Sequence, residues 1–246
     1  MTNWTAWAVH AYTATGALMG LAGVLAAAAG ELRAAFVWMF VATLVDGTDG
    51  VLARLARVKE RTPAFDGARL DDIVDYLTFV FLPAFVVVAS GFVPDGLTWP
   101  VAAAMLLSSA YGFASLDAKT SDHFFTGFPS YWNVVALYIA AAGLPLWVNA
   151  GVIFAFAIMV FVRIGYIYPT RTPALQRTTL ALMAIWAAML LAMIAWLPER
   201  AGAGGGPPGW LVIASLIFPV YYIVLSFVLH TRRPGPARVS SPAEIE

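Results

Sequence analysis

Seven carboxylates crowd residues 46 to 83, DGTDGVLARLARVKERTPAFDGARLDDIVDYLTFVFLP, beside or inside apolar runs long enough to enter a membrane. A charged side chain at mid-bilayer costs roughly 2.5 to 3.5 kcal/mol on insertion scales, so intramembrane acids face a cavity, an ion or a partner. Asp46 and Asp49 stand three apart, Asp71 and Asp75 four apart, and residues so spaced share one helix face. The connector from 57 to 66 is short, so the two helices are expected to be antiparallel neighbours that turn four carboxylates into one pocket. Repulsion among them favours protonation or bound cations. Hard oxygen ligands suit Mg2+ or Mn2+, and two ions are expected.

The companions of these acids point to a phosphate ligand. Gly50 and Ala53 lie on the same stretch as Asp49, and Gly67 opens the next helix, where small residues let a ligand approach closely. Arg54 adds a rigid fork of donors suited to phosphate. Metals, arginine and a clear approach path describe a diphosphate site and phosphoryl transfer. A single Asp-x-x-Asp at a helix end reads as a solvated cap; four acids at two helical spacings with these companions do not. Asp66 and Asp72 fall off the pattern and are expected to cap or support, Asp66 as the N-cap of the second acidic helix.

These residues must be held by a membrane fold. The chain has 246 residues, 61% hydrophobic and 11% charged, against about 25% charged in a soluble domain. Formal net charge is zero and cysteine is absent, which excludes thiolate metal sites and gives no footprint for nucleic acid. A bilayer-spanning helix needs about 20 apolar residues. That yardstick predicts an all-α, polytopic bundle of eight spans near 10–30, 34–56, 67–91, 97–116, 132–147, 150–168, 175–197 and 209–230. GLPLWVNAG at 143–151 gives only a Pro/Gly-punctuated break between the fifth and sixth.

Lysine and arginine mark cytoplasmic ends. With eight spans and both termini inside, twelve of the fourteen basic residues fall on that side, leaving Arg33 and Arg200 outside. A seven-span arrangement breaks this sorting. The active site is then expected to face the cytoplasm. Residues 1–231 form one transmembrane catalytic domain, and 232–246 carry too little apolar content to order.

The string Asp46-x2-Asp49-Gly50-x2-Ala53-Arg54, then Gly67-x3-Asp71-x3-Asp75, resembles the signature of the CDP-alcohol phosphotransferases. These integral membrane enzymes move a substituted phosphate from a CDP-linked donor to an alcohol. The resemblance implies a six-helix catalytic core within the eight spans, a homodimer, and a bacterial inner-membrane location. Asp46, Asp49 and Asp71 would hold the metals, with Asp75 deprotonating the acceptor hydroxyl and sharing a metal. Asp49, Gly50, Ala53, Arg54 and Gly67 would line the CDP pocket. Twelve residues separate Arg54 from Gly67, longer than the family's usual spacing. That extension, with VKE, FDG, LDDIVDY and DHFFTGFPSYWN, is similar to the bacterial branch using CDP-diacylglycerol as donor and choline as acceptor.

Choline is a quaternary ammonium, best held by aromatic faces and carboxylates. The loop from 117 to 133 offers Asp122, His123, Tyr131 and Trp132; Tyr76, just beyond Asp75, competes for the same role. Interfacial tyrosine and tryptophan also gather at membrane surfaces without a ligand. Arg163 and Arg171, with Arg177, would serve an acceptor bearing phosphate, grip the donor, or simply obey the charge rule. Inositol, glycerol phosphate and serine therefore stay open as acceptors. So does phosphocholine transfer from CDP-choline, and, from another class, a cation transporter.

Overall fold

Backbone amides in hydrocarbon find no water, so apolar runs must close their hydrogen bonds internally and become helices. The computed structural model describes residues 3–115, 124–169, 172 and 174–232. Among the described residues, six helices are long and apolar enough to cross a membrane: α1 (Trp4–Ala28), α2 (Leu32–Leu55), α4 (Gly67–Ala89), α5 (Asp95–Ala114), α8 (Gln176–Trp196) and α9 (Gly209–Thr231). A one-turn α3 (Val58–Arg61) sits in the connector after α2. Two shorter apolar helices, α6 (Trp132–Ala142) and α7 (Leu146–Phe161), complete a polytopic helical bundle.

The shorter pair departs from the expected eight full spans. α6 has 11 residues and α7 has 16, about 16 and 24 Å at 1.5 Å per residue, against a hydrocarbon thickness of about 30 Å. The break falls at 143–145, earlier than expected, because Gly143 adopts φ +59° and Pro145 has no N–H to extend α6. α7 ends at Phe161 instead of running to 168. Beyond it β2 (Gly165–Ile167) pairs antiparallel with β1 (Phe124–Thr126), Phe125 opposite Tyr166. The aromatic and β-branched run after Arg163 favours an extended strand over another helical turn. α1 also begins earlier than expected, at Trp4, with Trp4 and Trp7 exposed as interfacial residues.

Strand amides near a bilayer need partners, and α9 supplies them. The Gly165 amide donates to His230 Nδ1 at 3.1 Å, and the Ile167 amide to Ser226 Oγ at 3.1 Å. The loop after β1 docks on the end of α7: the Gly127 amide donates to the Ile164 carbonyl and the Phe128 amide to the Met159 carbonyl.

The acidic helices are clamped by α1. A Cβ on Gly16 would come 2.5 Å from Val74 Cγ1, and one on Gly23 2.5 Å from Leu82 Cδ2, so glycines along α1 let α4 approach closely. α4 itself changes winding at Tyr76–Phe81, a π-helical turn in which the Leu82 amide reaches back five residues to the Leu77 carbonyl. Pro83 follows at once; its missing N–H and its ring disfavour a regular bond to the Phe79 carbonyl. At the other end of the bundle, Arg33 Nε donates to the Leu197 carbonyl at 2.7 Å, and Glu31 pairs with Arg200 through the backbone. Arg33 and Arg200 thus share one end, opposite the acids. Asp122, His123 and Arg171, and the tail beyond Arg232, lie outside the described residues.

Candidate functional site

Asp46 and Asp49 stand near the C-terminal end of α2, Asp71 in the first turns of α4. The α2–α3–α4 turn brings them together: a carboxylate oxygen from each lies within 4.8 Å of the others. Oxygens on opposite sides of one Mg2+ or Mn2+ stand about 4 Å apart, so modest side-chain movement closes this donor set around an ion. The cluster could hold a metal ion. Asp49 is buried and accepts a 2.8 Å hydrogen bond from the hydroxyl of Thr13 on α1.

Asp75 is not within that group of three. Four residues beyond Asp71, it lies about 6 Å further along the helix axis, next to the π turn. Its negative charge reaches Tyr131, as does that of Asp46. Tyr131 immediately precedes α6, and burial first, then the charges of Asp46, Tyr168 and Asp75, raise its phenol well above the ordinary tyrosine range.

A cavity of about 1690 Å³ opens from the acids, larger than the roughly 300 to 1,000 Å³ of an ordinary small-molecule pocket. Asp46, Asp49, Asp71, Gly50, Ala53, Arg54 and Gly67 all line it, together with Arg57 and Lys59 of the connector. Its walls then become apolar between α2, α6, α8 and α9, passing Met39, Leu137, Trp186, Leu190 and Phe218. The shape offers a charged mouth and a long oily interior.

Not every expected contact is here. Trp132 is fully buried, donates its indole N–H to Ser109 Oγ at 2.7 Å, and does not line the cavity. A fully apolar environment with one hydroxyl acceptor makes it a core residue. The Tyr76 hydroxyl donates to the Leu106 carbonyl of α5 at 2.9 Å, so this ring is turned from the cavity. Arg163 is exposed and borders a separate small cleft with Tyr111 and Phe161. Asp66 caps α4 as expected, accepting from the Arg69 amide at 3.0 Å.

Two residues of α1 were missed. Thr13 holds Asp49, and His10, whose Nε2 hydrogen-bonds Thr62 Oγ1 at 3.0 Å, fills the space beside Gly67. Their signal was present as polar positions three apart, continuing the glycine stripe of an otherwise apolar span. Tyr166, Tyr168 and Tyr222 also line the cavity. The first two reach it through β2, which helical periodicity does not reveal.

Fold and site define a multi-pass membrane protein with an acid cluster at the mouth of a lipid-sized cavity. No family profile matches the chain. It is 37% identical over 181 residues to a phosphatidylcholine synthase of Pseudomonas aeruginosa, covering 74% of this chain and 76% of that one. Against a phosphatidylcholine synthase of Rhizobium meliloti it is 34% identical over 224 residues, covering 91% and 90%. With that of Legionella pneumophila it shares 40% over 167 residues, 68% of this chain and 66% of the other. The chain belongs to the phosphatidylcholine synthase family.

Proposed function

We propose that this protein is a CDP-alcohol phosphotransferase that transfers the phosphatidyl group of CDP-diacylglycerol to choline, giving phosphatidylcholine and CMP. The observation that carries the reading is the convergence of Asp46, Asp49 and Asp71 at the mouth of a large apolar cavity. A lipid with a diphosphate head needs both at once: carboxylates and cationic groups for the head, and a dry interior for acyl chains.

Asp46, Asp49 and Asp71 would hold two Mg2+ or Mn2+ ions, with Asp75 close by. Bound there, such ions neutralise diphosphate charge and improve CMP as a leaving group. Arg54 lines the mouth and presents its guanidinium to phosphate oxygens. Gly50 and Ala53 leave room beside it for the CDP moiety, and Gly67 lines the same mouth. Asp75 accepts the proton of the choline hydroxyl. The freed oxygen attacks the phosphorus esterified to diacylglycerol, and the anhydride bond breaks with its electron pair leaving on CMP.

We place the site at the cytoplasmic face of a bacterial inner membrane, where water-borne choline meets a donor that never leaves the bilayer. Arg33 and Arg200 at the far end of the bundle support that orientation through the charge rule. Likeness to the family supports a homodimer, which the mass of the purified protein in detergent tests. The deciding experiment measures CMP release from CDP-diacylglycerol with choline present or omitted, with and without Mn2+. Release that requires both choline and metal is expected. Release with inositol, serine or glycerol phosphate in place of choline overturns the acceptor, and none with any acceptor overturns the reaction.

A further inference from the structure

Four tyrosines from three separate stretches of the chain line the cavity: Tyr131 before α6, Tyr166 in β2, Tyr168 just after it, and Tyr222 on α9. The β1–β2 pairing is what carries Tyr166 there. The rings of Tyr166 and Tyr222 are stacked 6.1 Å apart with planes 17° from parallel. Tyr222 donates its hydroxyl to the Ile167 carbonyl at 3.1 Å. Phe79 of α4, on the same wall, lies 6.4 Å from Tyr131.

These tyrosines are not an interfacial belt. Belt residues stand in the headgroup layer, whereas Tyr166 is 4% exposed and all four line an internal cavity. The same cavity contains Asp46, whose charge, with that of Asp75, bears on Tyr131. Aromatic faces beside carboxylates describe a seat for a cation that has no N–H to donate: each ring within about 6 Å attracts it by roughly 0.5 to 2 kcal/mol. An acceptor bearing phosphate would need basic groups instead. Among the described residues, the lysines and arginines lining the cavity are Arg54, Arg57 and Lys59, all on the α2–α3 side, and none stands among the tyrosines.

We propose that Tyr131, Tyr166, Tyr168 and Tyr222 form the seat of the acceptor's quaternary ammonium group and set the preference for choline over alcohols carrying N–H groups. This rests on the transferase reading given above. Aromatic contact, rather than a hydroxyl hydrogen bond, does the discriminating, so phenylalanine should replace tyrosine far better than leucine does.

The test uses the full chain in lipid nanodiscs with saturating CDP-diacylglycerol and Mn2+, comparing choline, N,N-dimethylethanolamine and ethanolamine as acceptors. Tyr166→Leu and Tyr222→Leu should each raise the KM for choline about tenfold, the loss of about 1.4 kcal/mol, and leave the KM for CDP-diacylglycerol within twofold. The ratio of kcat/KM for choline to that for dimethylethanolamine should collapse toward one, a readout independent of how much enzyme is folded. Tyr166→Phe and Tyr222→Phe should keep the ratio. Leucine variants that retain the wild-type ratio, or phenylalanine variants that lose it equally, overturn the tyrosine seat while leaving the transferase intact. A wild-type protein that releases no CMP in response to choline overturns both.

Discussion

Thr13 on α1 and Asp49 on α2 are joined by a 2.8 Å hydrogen bond in which the hydroxyl donates to Asp49 Oδ2, both residues buried. A helix outside the acidic motif therefore orients one of its carboxylates. The bond constrains the Asp49 carboxylate, one oxygen of which lies within 4.8 Å of an oxygen of Asp46 and of Asp71. Outer partners of this kind are worth about 10- to 100-fold in metal affinity. Thr13→Val should raise the Mn2+ concentration needed for half-maximal CMP release by that factor, with kcat at saturating Mn2+ little changed. Thr13→Ser, which keeps the hydroxyl, should restore the wild-type requirement. An unchanged metal requirement in the valine variant would show that Asp49 is held by other means.

Chelation tests the same cluster from the ligand side. Treatment with EDTA should abolish CMP release, and adding back Mg2+ or Mn2+ should restore it, because Asp46, Asp49 and Asp71 bring three carboxylate oxygens within 4.8 Å of one another. The sign of the structural effect is fixed by repulsion among these carboxylates. Ions that relieve it should raise the Tm of the wild type, and Asp71→Asn should shrink that metal-dependent rise. A Tm indifferent to Mg2+ and Mn2+ would remove the cluster as an ion site.

Asp75 has a different position and a different predicted phenotype. It lies outside the three-carboxylate group yet close enough to Tyr131 for its charge to act there. Asp75→Asn should lower kcat by about 10²- to 10⁴-fold, the span attributed to a positioned general base. Binding of CDP-diacylglycerol, followed by equilibrium dialysis of the labelled donor, should survive. Loss of donor binding in parallel with kcat would recast Asp75 as part of the diphosphate site.

Much of this geometry was legible in the sequence because it rests on local rules. Spacings of three and four on two apolar helices with a short connector force Asp46, Asp49 and Asp71 together, and Asp66 is a cap wherever a helix begins at Gly67. Apolar length alone located the six long helices. What stayed hidden depends on pairing distant segments. β2 reads as the end of a helix until Phe124–Thr126 is available to pair with it, and only then does Tyr166 reach the cavity. Trp132 is adjacent to Tyr131, and no periodicity tells which of two neighbours faces Ser109 in the core and which the cavity.

Gly67 separates two explanations of a motif glycine. One is ligand approach; the other is packing, since a Cβ there would stand 2.7 Å from His10 Cε1. The imidazole cannot easily yield. His10 is tied to Thr62 at 3.0 Å and packed against Phe65, ring centroids 4.4 Å apart, and against Trp7 at 5.7 Å. Overpacking of this kind destabilises by about 1 to 3 kcal/mol. Gly67→Ala should therefore lower the Tm, and adding His10→Ala should recover part of the loss, a coupling expected only of residues in contact. If approach to the CDP moiety were the sole reason for glycine, Gly67→Ala would raise the KM for CDP-diacylglycerol at unchanged Tm, and removing the imidazole would rescue nothing.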